Sequence, residues 1–137
     1  MIEFNTENAF ELEGPAFAKA WLLRVIEEEG KQLGEINYIF CDDDYLHKIN
    51  IDFLQHDTLT DIISFDYTIG DIISGDIYIS TQRVADNAKD FKTLFKNELN
   101  RVMVHGILHY CGYMDKSDED AALMRSKEDY YIAKSIA

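Results

Sequence analysis

In the stretch VHGILHYCGYMD, Val104 to Asp115, two histidines stand four residues apart, a glycine follows three later, and an aspartate three after that. Four residues on an α-helix are about 40° of rotation and one turn of rise, so the imidazoles of His105 and His109 can face one point. Gly112 can end such a helix at low conformational cost, and the returning chain would carry Asp115 beside the two rings. Two imidazoles, a carboxylate and an open position for water form the donor set of a catalytic zinc, whereas a structural zinc is normally closed by four protein ligands. The competing reading of a bare HxxxH pair is two packed or surface histidines. Here the neighbouring residues are apolar, so unligated imidazoles would need other hydrogen-bond partners, and the full HxxxHxxGxxD spacing favours one ion held by His105, His109 and Asp115.

This spacing equals the ligand frame HExxHxxGxxH of the metzincin proteases, with two changes. Asp115 replaces the third histidine, which zinc accepts. Gly106 stands where those peptidases carry their general base, and glycine cannot move a proton, so a peptidase mechanism is disfavoured.

The elements that must position these residues are legible from pattern. Pro15, after Gly14, suits the first turn of a helix whose apolar stripe (Phe17, Trp21, Val25) ends near Gly30. EINYIFCD alternates as a half-buried strand from Glu35, and Asp42 to Asp44 open a short helix at its positive dipole end. TDIISFDYTI and GDIYIS read as two strands with a glycine-containing connection. A helical pattern starts near Thr81, breaks near Phe91 and resumes through Phe95, Leu99, Val102 and Leu108. SDED then starts a closing helix over Ser117–Ala137. Strands and helices therefore mix in a single α+β domain spanning 1–137, with the histidines late on an apolar helix.

Composition narrows the function classes. The 137 residues carry a net charge of −13, which argues against a generic nucleic-acid coat, because phosphate binding is driven by Lys and Arg. The charge is uneven, though: Thr81 to Arg101 is +2 and the remainder −15. That segment is either a solvated helix face or a local basic track leading to the histidines. Cys41 and Cys111 form no CxxC motif and no disulfide framework, the N-terminus shows no apolar signal region, and no apolar run is long enough to span a membrane. A soluble, cytoplasmic protein is expected.

Three elements also carry a resemblance. HGILHYCGYMD resembles the HGxLHLxGxDH signature of the YbeY family of bacterial metal-dependent endoribonucleases. TDIISF (Thr60–Phe65) is similar to its TDVLSF element, and GDIYIS (Gly75–Ser80) to its GDIxIS strand. Order and spacing agree over roughly Asn37 to Asp120. The resemblance implies single-strand-specific RNA cleavage, a role in maturing the 3′ end of small-subunit ribosomal RNA and in ribosome quality control, and one zinc per chain. It also implies a mixed sheet of about four strands flanked by helices, with the metal in a cleft. His105 and His109 fall on the first two metal histidines of the family, and Asp115 on the third, which changes the charge of the site. The family's aromatic–arginine pair before TDVLSF is here Phe53-Leu54, and Leu54 cannot contact phosphate electrostatically. His56, Arg83 and Arg101 are the candidates to substitute for it.

Asp61 and Asp76 flank the strands and are candidate outer partners for the imidazoles, although an aspartate at a strand start also satisfies local backbone donors. Glu98, seven before His105, reads as a surface or hydrogen-bonded residue, and Cys111 as a buried thiol. Cys41 and His47 have no spacing that ties them to the histidines. The expected function is a metal-dependent endoribonuclease, the ion lowering the pKa of bound water toward about 7. The alternatives are a ribosome-assembly binding protein with a mainly structural metal, or a metallohydrolase of another substrate.

Overall fold

The computed structural model describes residues 1–55 and 60–135. Its elements run β1 (Ile2–Thr6), α1 (Pro15–Glu28), β2 (Gln32–Cys41), α2 (Asp43–Leu54), β3 (Ile62–Asp66), β4 (Ile72–Ser80), α3 (Thr81–Asp90), α4 (Phe95–Tyr110) and α5 (Asp118–Ala133). The strands order as β1-β2-β4-β3; β1 and β4 lie parallel to β2, and β3 pairs antiparallel to β4. The architecture is the expected α+β one, a four-stranded mixed sheet flanked by helices.

Pattern reading passes over β1. IEFNT is only five residues long and buries only Ile2 fully, so nothing local marks it as a strand. It is a strand because its backbone pairs with β2, from Ile2 opposite Ile36 to Thr6 opposite Phe40, a contact made across the whole of α1.

Alternation along β2 and β4 sends Ile36, Tyr38, Phe40, Ile73, Ile77 and Ile79 to one face, where α1, α4 and α5 cover them with Leu22, Ile26, Met103, Ile107 and Tyr131. Each such side chain removed from water contributes about 1.5–3 kcal/mol. The opposite face carries a smaller cluster, Cys41, Leu46 and Ile63, under α2. Trp21 of α1 is buried and its indole N–H donates to the Tyr131 carbonyl at 2.8 Å, which ties the closing helix to the first one. That closing helix starts at a Ser117 cap, whose hydroxyl accepts from the Asp120 N–H at 3.0 Å.

Candidate metal centre

Helix α4 lies close against the sheet because of what it lacks. A Cβ on Gly106 would fall 2.9 Å from Cδ1 of Ile77 and 3.4 Å from Cδ1 of Ile62. Position 106 therefore faces β3 and β4, and the residue before it, His105, faces away toward a cleft. The two ends of this contact are pinned by tyrosines. The Tyr38 hydroxyl donates to the Met103 carbonyl at 2.7 Å, and the Tyr110 hydroxyl lies 3.1 Å from the Phe65 carbonyl and 3.3 Å from that of Asp76. Gly75 makes room for the latter ring, since a Cβ there would sit 2.4 Å from the Tyr110 oxygen.

The turn after α4 is a Schellman closure. Gly112 has φ 108°, its N–H donates to the His109 carbonyl at 3.0 Å, and the Tyr113 N–H donates to that of Leu108 at 3.1 Å. Tyr113 then anchors the returning chain, its hydroxyl donating to Glu29 Oε1 at 2.7 Å. Two residues later comes Asp115.

Its carboxylate oxygen Oδ2 lies 3.3 Å from Nε2 of His105 and 3.3 Å from Nε2 of His109. The three donor atoms all lie within 4.8 Å of one another, so the group could hold a metal ion. Donors about 2.1 Å from a tetrahedral zinc stand about 3.4 Å apart, close to the spacing of each imidazole from the carboxylate. The donor set fits.

Behind His105 sits Glu128 of α5, which pattern reading missed. It is 4% exposed, and its Oε2 lies 2.6 Å from Nδ1 of His105. An ionised carboxylate has no proton to give, so Nδ1–H donates, and Nε2 is the nitrogen left to turn toward Asp115. The other oxygen, Oε1, accepts from Arg101 Nη1 at 2.9 Å, and Arg101 Nη2 reaches Asp129 Oδ1 at 2.6 Å. Burial alone would raise the Glu128 pKa, but His105 and Arg101 outweigh it and hold the carboxyl below its ordinary range. Burial disfavours a charged His105, yet Glu128, Asp115 and Asp61 prevail and raise its pKa. The signal available for Glu128 is weak: one acid among five on α5, with no motif spacing to the histidines.

These groups line an open cleft of about 530 Å³, bounded by the start of β3, the α3–α4 corner, α4 and α5. Asp61 and Glu98 line it too; desolvation raises the pKa of both, and Glu98 is buried, not on the surface. Asp76 instead accepts from Asn37 Nδ2 at 3.2 Å. Arg101 reaches the cleft, whereas Arg83 is held by Asp43 at 2.8 Å and does not line it. His56 lies outside the described residues. Leu54 ends α2 and is exposed. Cys111 is half-buried, its thiol pushed up to about 11 by burial and Glu29.

A glycine-seated helix that presents two imidazoles, a carboxylate from the turn beyond it and a buried glutamate behind them defines an α+β protein with a three-donor group that could hold a metal ion. The family model described as Endoribonuclease YbeY matches residues 2–135, and the chain belongs to that family. Among its relatives are the Endoribonuclease YbeY proteins of Flavobacterium johnsoniae, 65% identical over 133 residues (97% of this chain, 96% of that one), and Flavobacterium psychrophilum, 62% identical over 129 (94% and 92%). A solution structure of a Thermotoga maritima protein superimposes with a TM-score of 0.70 at 28% identity, covering 98% of this chain and 89% of that one.

Proposed function

We propose that this chain is a metal-dependent endoribonuclease that cuts single-stranded RNA, that it matures the 3′ end of small-subunit ribosomal RNA and serves ribosome quality control, and that it holds one zinc through His105, His109 and Asp115. Family membership supports the reaction class. The convergence of three donors, not four, in an open cleft carries the reading of a working metal over a structural one. When bound, the ion supplies Lewis acidity and a water of lowered pKa. The chain's own residues do the rest. His105, His109 and Asp115 hold the ion, Glu128 fixes which imidazole nitrogen faces it, and Arg101 balances the charge of Glu128 and Asp129. No helix among the described residues is long and apolar enough to cross a membrane, which accords with a ribosomal partner in the cytoplasm.

The test is elemental analysis paired with cutting of an unstructured RNA. About one zinc per chain is expected, lost in His105→Ala and His109→Ala together with chelator-sensitive cutting. Equal metal content in all three proteins would reject the site. Normal RNA binding without metal-dependent cutting would favour an assembly protein.

A further inference from the structure

An RNA phosphate entering this cleft meets an acidic lining, since Asp61, Glu98, Asp115 and Glu128 all face it. Two arginines oppose them, Arg101 and Arg125. Arg101 is already engaged by two carboxylates, at 2.9 Å and 2.6 Å, and a guanidinium so bound has little charge left to offer. Arg125 is different. Its side chain is 56% exposed, and its contact with Glu128 is loose at 3.6 Å, so its planar fork can turn to a phosphate without breaking a close pair.

The second observation is an aromatic ring in water. Fifteen large hydrophobic side chains are exposed among the described residues, and of these only Phe91 lines the cleft. It is 59% exposed at the C-terminal cap of α3. The corner that carries it is held by the Phe91 N–H on the Asn87 carbonyl and the Thr93 N–H on that of Ala88, each at 2.9 Å. The backbone of the corner is thus held, and the ring it carries is left open to solvent. An aromatic face of this kind stacks a nucleobase only if that base is unpaired.

We infer that Phe91 and Arg125 form a nucleotide subsite beside the metal centre, Phe91 stacking an unpaired base and Arg125 gripping a phosphate. The proposal rests on the endoribonuclease reading and gives it a physical source of single-strand preference.

The test uses zinc-loaded protein and 2′-O-methyl oligoribonucleotides, their integrity checked on a gel, with binding followed by fluorescence anisotropy across a salt series. Arg125→Ala should weaken binding and flatten the log–log salt dependence by about 0.7, one phosphate contact on a single strand. Phe91→Ala should weaken binding about tenfold and leave that slope unchanged, while Phe91→Trp restores affinity. A 2-aminopurine base in the strand should be quenched by the wild type and not by Phe91→Ala, and a duplex of the same sequence should show neither effect. Both side chains are exposed, so zinc content and melting temperature should match the wild type. Wild-type affinity, slope and quenching in both variants, with RNA still cut, would overturn the subsite alone. A wild type that neither binds nor cuts RNA would overturn the endoribonuclease reading along with it.

Discussion

At the scale of single residues, the centre depends on which proton His105 carries. Glu128 holds that proton on Nδ1, so its removal leaves the ring free to rotate and to change tautomer. Glu128→Ala is expected to weaken zinc binding about 10–100-fold, and Glu128→Gln, which keeps an acceptor of the same size, to lose less. Competition against a chromophoric chelator measures the first, and the ¹⁵N shifts of His105 report the tautomer. Equal affinities in all three proteins would leave Glu128 with a packing role only. Asp115 makes a separate prediction. As a metal donor it would supply a harder oxygen than an imidazole, so Asp115→His should raise preference for zinc over manganese or magnesium. An unchanged preference in competition titrations would remove Asp115 from the metal.

At the scale of elements, the turn that delivers Asp115 is braced from outside. Glu29, just past α1, accepts from Tyr113, from Tyr131 and from Lys127, and these partners overcome its desolvation and lower its pKa. A carboxylate with a depressed folded pKa contributes stability that is present above its unfolded value, near 4.5, and is lost as pH falls through the folded value. Glu29→Gln should therefore lower stability by about 1–3 kcal/mol at neutral pH, with the gap closing as pH falls below the unfolded value. Urea melts across that range check it, and a gap that does not change with pH would mean charge plays no part. This brace explains what could be read from residues alone and what could not. His105, His109 and Asp115 sit within one turn-and-return, so local spacing disclosed them. The pairing of β1 with β2 and the reach of Glu128 to His105 join parts of the chain that only packing brings together, and neither has a local signature. From spacing Glu98 reads as a surface or hydrogen-bonded residue for the same reason, since a helix face does not announce which cleft it lines.

At the scale of the whole molecule, the three donors lie on the rim of a core that is complete without them. Chelation should thus loosen the protein without unfolding it. At a free zinc concentration 100-fold above its dissociation constant, the ion stabilises by about 2.7 kcal/mol, so its removal should lower the melting temperature by roughly 10 °C. The far-UV circular dichroism at 25 °C should persist, and its collapse on chelation would recast the ion as a folding requirement. The order of the strands adds a consequence in time. β2 finds its inner neighbour β4 only after α2 and β3 have been made, α4 can dock only on that finished sheet, and α5 brings Glu128 last. The protein's single tryptophan sits at the final joint of this sequence, its indole bonded to the backbone of α5. Its emission in a refolding experiment is therefore a clock for the arrival of α5, and zinc should be captured in its tight form only after that signal has settled.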